Sequence, residues 1–186
     1  VLVGRVNKEI VTLIENFGGK AEGIGGKGAG LVCARELEIK GESLGRAGRV
    51  DSIDPSVITE LSDPAIIPVV APVGTGADGG AFNVNADTVA GAVAIALKAE
   101  KLIMLTDVEG VLDTEEKLIS EMTSAEAKTL ISEEVAHGGM VPKLNCCVDA
   151  LEKGVHNAHI IDGRIEHAVL LEIFTDSGIG TIIAQG

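Results

Sequence analysis

Short apolar runs recur along this chain at the spacing of strands alternating with helices, and that alternation limits the fold more than any single motif. Ile66-Ile67-Pro68-Val69-Val70-Ala71 is a continuous run of the kind buried on both faces of a parallel sheet, although Pro68 has no N–H to give to a ladder. Lys101 to Leu105, Ala158 to Asp162 and Thr181 to Ala184 read as further strands, with a shorter one at Ala21 to Ile24. Helical periodicity covers Val6 to Phe17, stopped by Gly18-Gly19, then Thr88 to Leu97, Met140 to Lys153 and Ile165 to Phe174. Asp54-Pro55 opens a short helix through Leu61, and Thr123-Ser124-Ala125-Glu126 is a capping box for a helix ending near His137. Arg46 to Ser52 reads as an edge strand or hairpin arm, and Gly74 to Ala81 as a loop or hairpin tip. The alternation predicts an α/β fold, a three-layer sandwich on a mainly parallel sheet, with residues 1–186 in one domain.

Composition excludes several functions. A net charge of -13 is wrong for a nucleic-acid surface, and the absence of Trp and Tyr removes most base-stacking platforms. No apolar run is long enough to span a bilayer and no secretory leader pattern opens the chain, so the expectation is a soluble, cytoplasmic protein. Cys33, Cys146 and Cys147 neither close a disulfide framework nor match zinc spacing, which predicts reduced, buried thiols. Because the chain begins at Val1 inside an amphipathic pattern, an N-terminal portion is expected to be missing.

Two loop-to-helix junctions carry candidate chemistry. Phe82-Asn83-Val84-Asn85-Ala86-Asp87-Thr88 crowds polar residues before one helix, and His137-Gly138-Gly139-Met140-Val141-Pro142-Lys143 puts a glycine pair before another. Helix N-termini present unpaired amides and partial positive charge, which suit phosphate or carboxylate. Phosphoryl transfer needs positioned cations, amide donors and an acid to orient them, so Lys143, the Gly138 and Gly139 amides and Asp87 are expected to gather around a transferring group. As structural alternatives, Asp87 is a helix cap, Asn83 and Asn85 are turn residues, and Lys143 is a solvated charge. Thr106, Asp107 and Gly110 follow a buried strand at its carboxyl end, where open α/β sheets hold ligands. Gly23, Gly25 and Gly28 spell GxGxxG, but no full helix and acid-ended strand follow, so a tight turn competes with a phosphate contact. The four histidines lack zinc spacing, no serine sits in a nucleophile elbow, and no metal ligands are expected from the protein.

Asn83-Val84-Asn85-Ala86-Asp87, Leu105 to Leu112, Gly138 to Lys143 and Ile160 to Arg164, in that order and spacing, closely resemble the acetylglutamate kinases of the amino acid kinase family. The resemblance runs the length of the chain and implies a carbamate kinase-like fold lacking its N-terminal part. It implies transfer of the ATP γ-phosphoryl group to the side-chain carboxylate of N-acetyl-L-glutamate in arginine biosynthesis, with Mg2+ carried by the nucleotide. By that pattern Lys143 stabilises the transferring phosphoryl, Asp87 orients catalytic lysines, and Asn83 with Asn85 holds the substrate. Thr106, Asp107, Val108, Gly110, Val111 and Leu112, with Gly138, Gly139 and Met140, would line the nucleotide pocket.

The run from His167 to Thr181 resembles the signature of arginine-inhibited members, which are hexamers, some of them binding a PII-type signalling protein. It implies an arginine site that includes Glu172, Gly178 and Gly180; the alternative is an amphipathic helix and a glycine turn. Two departures stand out. The family's first catalytic lysine, phosphate turn and substrate-gripping arginine have no counterpart, so this chain alone is expected to be a poor kinase, and plastid targeting by a missing leader stays open. Gly25-Gly26-Lys27-Gly28-Ala29 and Arg46 also differ from the usual residues. Competing expectations are a sister kinase with another substrate, a non-catalytic module that binds arginine or nucleotide, and a dinucleotide-dependent oxidoreductase.

Overall fold

A computed structural model describes residues 1–26, 28–175 and 178–186, which form two compact units, Val1–Ala96 and Leu97–Gly186. Lys27 of the glycine-rich run, and Asp176 and Ser177 of the arginine-type run, lie outside the described residues.

In the first unit a π-helical turn, Leu2–Val6, leads into α1 (Asn7–Asn16). Strand β1 (Lys20–Ile24) pairs in parallel with β4 (Ile66–Val70). Gly23 permits the helix to approach this pair, since a Cβ there would lie 2.1 Å from Asn7 Oδ1. The buried Asn7 amide group donates to Val69 O at 2.7 Å, so its polarity is satisfied inside the fold. Ala71 N–H donates to Ile24 O at 2.8 Å, and the two-residue period of the strand therefore turns the Pro68 nitrogen to the opposite edge. That placement removes the objection to proline in this strand.

Strands β2 (Val32–Ile39), β3 (Glu42–Ile53), β5 (Val73–Thr75) and β6 (Ala81–Val84) close into a ring in the order β2-β3-β6-β5. Of the two readings of Arg46 to Ser52 the hairpin arm holds: it is part of a longer strand antiparallel to β2 across the turn at 40–41, and β6 on its other side keeps it from being an edge. So small a ring demands glycine where strands face one another, and Cβ atoms on Gly48 and Gly74 would lie 2.6 Å from those of Phe82 and Ala34. Val32, Ala34, Phe82 and Val84 fill its interior with Leu31, and Val89 of α3 (Ala86–Ala96) packs into the same cluster. Alternation sends Cys33 outward between Val32 and Ala34, so this thiol is exposed, whereas Cys147 is buried. Arg46 lies 5.1 Å from the Phe82 ring centre and bonds Asp78 at 3.2 Å, which ties the β5–β6 hairpin tip to β3. Asp54 Oδ1 accepts from Ser56 N–H at 3.0 Å just ahead of α2 (Ser56–Thr59), whose N-cap position is taken by Pro55.

The second unit holds a four-stranded sheet in the order β7-β9-β10-β8, from β7 (Lys101–Thr106), β8 (Glu121–Thr123), β9 (Asn157–Asp162) and β10 (Thr181–Ala184). β7 and β9 are parallel, as are β8 and β10, while β9 and β10 run antiparallel. Ala158 to Asp162 are buried one after another, which requires cover on both faces of β9. Helix α5 (Met140–Glu152) packs against the sheet through buried Leu144, Cys147 and Leu151, and α6 (Ala168–Phe174) also packs on β9. The capping box forms in full: Thr123 Oγ1 accepts from Glu126 N–H at 3.2 Å and Glu126 Oε2 accepts from Thr123 N–H at 2.7 Å, opening α4 (Ser124–Ser132). This helix stops five residues short of His137, and α6 starts only after His167, whose left-handed backbone (φ 61°) cannot continue a helix. Among the described residues no helix is long and apolar enough to cross a membrane.

Candidate functional site

The loop leaving β7 and the turn entering α5 enclose a cavity of about 360 Å3, within the usual size range of small-molecule sites. Thr106, Asp107, Val108, Gly110, Val111 and Leu112 form one wall, and Gly139, Met140 and Lys143 form another. These two segments, more than twenty residues apart in the chain, are the ones singled out for nucleotide contact. Gly138 is outside the lining and makes the turn (φ 58°) that starts α5. Lys143 is the fourth residue of that helix and half-buried, so its ammonium stands near the positive end of the helix dipole. Apolar Val108, Val111, Leu112 and Met140 offer surface to a flat ring, while Lys143 offers charge to an anion.

Four further lining residues were not singled out, Asp113, Glu116, Val135 and Ala136, and His137, which opens the second junction, lines the cavity with no role assigned to it. Asp113 folds its own turn, with Oδ1 accepting from Glu115 N–H at 2.8 Å and Lys117 N–H at 2.9 Å. Those amides of Lys117 and Glu115 hold its carboxyl below the ordinary value. The turn places Glu116 in a left-handed conformation (φ 61°) at the cavity rim. The signal that was available is an Asp opening a polar run between Leu112 and Leu118, which pair as an isolated bridge. His137 Nδ1 lies 2.9 Å from Val135 O and must donate to that carbonyl, which leaves the lone pair of the neutral ring on Nε2.

The floor of the site is anchored where β7 and β9 end. Gly163 N–H donates to Thr106 O at 2.8 Å, and Arg164 grips Asp162 through Nε at 2.9 Å and Nη2 at 2.7 Å. The guanidinium and the Arg164 amide depress the Asp162 carboxyl to about 2. A folded value below the ordinary one of about 3.9 stabilises the folded chain above about pH 4, and that contribution is lost as pH falls towards 2. Urea melts across this acid window are expected to show a shallower loss of stability in Arg164→Ala than in the parent. Equal slopes would dismiss the linkage.

In the first unit Asn83 is exposed on β6, opposite Ala47 of β3 and Val73 of β5. Asn85 caps α3: its Oδ1 accepts from Thr88 N–H at 3.0 Å and from the Thr88 hydroxyl at 3.2 Å. Half-buried Asp87 stands in the first turn of the same helix. A larger hollow of about 770 Å3 beside the strand ring, flanked by the Arg35–Asp51 ion pair, is lined by Gly28 of the GxGxxG run, Cys33 and Phe82, and by none of the residues expected to serve catalysis, substrate, nucleotide or arginine.

The C-terminal candidates also come together. The Glu172 carboxylate is fully buried, with Oε1 2.7 Å from His159 Nδ1 and Oε2 accepting from Ile179 N–H at 2.7 Å. Burial alone raises such a carboxyl, but the Ile179 amide and His159 outweigh it and hold it below the ordinary value. A Cβ on Gly178 would lie 2.9 Å from Glu172 Oε2, and one on Gly180 would lie 2.3 Å from Ile160 O. His159 was not singled out. Its only sequence signal is a polar residue inside the apolar strand Ala158 to Ile161.

A family model described as the amino acid kinase family matches residues 1–162. The acetylglutamate kinase of Marinobacter nauticus is 49% identical over 195 residues, taking in 100% of this chain and 67% of that protein. That of Caldanaerobacter subterraneus subsp. tengcongensis is 54% identical over 188 residues, taking in 100% of this chain and 62% of that protein. Among solved structures, N-acetylglutamate synthase from Neisseria gonorrhoeae, complexed with coenzyme A and L-arginine, is similar over 90% of this chain and 38% of its own, with 30% identity and a TM-score of 0.79. The chain thus spans between 62% and 67% of the length of these two kinases.

Proposed function

We propose that this chain, which belongs to the amino acid kinase family, is the nucleotide-binding part of an enzyme that moves the ATP γ-phosphoryl group onto the side-chain carboxylate of N-acetyl-L-glutamate, a step in arginine synthesis. The observation that carries the reading is the single cavity walled by Thr106 to Leu112 and by the start of α5, with Lys143 in its lining. The substrate follows from identities of 49% and 54% to acetylglutamate kinases. The synthase, at 30%, is the more distant likeness, which favours a kinase over a synthase.

In this role Lys143 stabilises charge developing on the transferring phosphoryl, and the apolar wall holds the base. Asp107, Asp113 and Glu116 line the same cavity, so Mg2+-ATP, less negative than ATP alone, is the species such a site accepts. Mg2+ supplies charge neutralisation on the phosphates when bound. Asp87, in the first turn of α3, carries the acidic role that the family pattern gives it, and Asn83 offers an exposed amide to the amino-acid substrate. In the full-length protein ATP is expected to be consumed only when N-acetylglutamate is added. Consumption with glutamate, aspartate or carbamate in its place would assign a sister kinase instead.

Arginine control is a second reading, supported by the clustering of Glu172, Gly178 and Gly180 and by the likeness to a synthase complexed with L-arginine. Because both Glu172 oxygens are engaged within the protein, arginine binding would have to displace Ile179 N–H or rely on backbone groups of the glycine turn. Calorimetry with arginine on Glu172→Gln and on the parent separates these routes.

A further inference from the structure

Thr181, the first residue of β10, has no exposed surface, and its hydroxyl is used twice. Oγ1 donates to Ile119 O at 2.7 Å and accepts from Val111 N–H at 2.8 Å. Ile119 N–H in turn donates to Val111 O at 2.9 Å, so one side chain closes a ring of bonds beneath the loop. The loop comes close at this point: a Cβ on Gly110 would lie 2.7 Å from Thr181 Oγ1 and 3.2 Å from Thr181 N. Gly110 and Val111 both wall the cavity, and Val111 is 1% exposed, so water cannot replace the hydroxyl as acceptor for its amide. The strand start that carries Thr181 is itself fixed, since Ile179 N–H is held by Glu172 and no Cβ fits at Gly180.

We infer that Thr181 is a positioning residue for the nucleotide loop, its hydroxyl setting where the Gly110-Val111 backbone stands and hence the shape of the cavity. The inference rests on the reading of that cavity as a nucleotide site. Thr181→Val keeps the volume and removes the hydroxyl, which leaves the Val111 amide and the Ile119 carbonyl without their partner. The loop must then shift to recover a bond.

Calorimetric titration of this chain with Mg2+-ATP, at a temperature where circular dichroism shows every variant folded, tests the assignment. Thr181→Val is expected to bind about tenfold more weakly, equivalent to about 1.4 kcal/mol, and Thr181→Ser, which restores the hydroxyl, to within about twofold of the parent. Ile183→Val, a buried truncation on the same strand, is expected to lower the melting temperature and leave ATP affinity unchanged. Should valine unfold the chain, Thr181→Cys carries the same test, since a thiol bonds weakly in both directions. Parent-like ATP affinity in the hydroxyl-free variant, or failure of serine to rescue it, overturns the positioning role alone. Absence of ATP binding by the parent overturns the nucleotide reading and this inference with it.

Discussion

Replacing Lys143 with alanine in the full-length protein is expected to lower turnover by about 10²–10³-fold while changing ATP affinity by less than about tenfold. The asymmetry follows from where the ammonium stands. It lines the cavity from the fourth position of α5, near the end of the helix that repels cations by about 0.3–1 kcal/mol. A charge kept there opposes a local cost, and in the proposed role it acts on negative charge that grows during transfer. In the proposed role ground-state ATP is also held by the apolar wall and the loop backbone, so its binding is expected to survive the loss. Steady-state turnover and equilibrium binding on the same preparation decide the matter: parent-like turnover removes Lys143 from the chemistry, and an equal loss in both makes it a binding residue only.

Glu172→Ala is expected to destabilise the chain by about 1–3 kcal/mol for each buried donor left without its acceptor. The substitution takes away the acceptor of Ile179 N–H and the partner of His159 Nδ1, both inside the second unit. His159 Nε2 is already buried without a partner among the described residues, so the ring would lose its remaining hydrogen bond. Glu172→Gln keeps the shape and an acceptor for the Ile179 amide, and should cost less. Because the Glu172 carboxyl is held below the ordinary value of about 4.3, its ionised form adds stability above that pH, and the contribution fades as pH falls through the depressed folded value. Urea denaturation near neutral pH reads the difference. A loss under about 1 kcal/mol for alanine would mean that the contact does not hold the C-terminal turn to the sheet.

Features whose causes lie within a few residues were open to reading from the chain. The capping box at Thr123 and Glu126, the turn at Asp54 and the strand patterns at Ile66 and Lys101 each follow from local propensity or periodicity. So did the loop after β7, because a parallel strand delivers its carboxyl end to the edge where ligands bind. Local rules failed where a residue had two defensible roles. Asp87 and Asn85 both suit a helix N-terminus, and only the bond from Thr88 shows that Asn85 caps α3.

Sequence by itself determined the alternation of strands and helices, the family, and the two segments that wall the cavity. Tertiary structure alone decided that β3 has neighbours on both sides, that Glu172 meets His159 thirteen positions away, and that Thr181 supports Val111 across seventy. The physical reason is register. Those partners are set by how β10 lies between β8 and β9 and by how a four-strand ring closes, and a pairing between distant segments leaves no mark in the periodicity of either one.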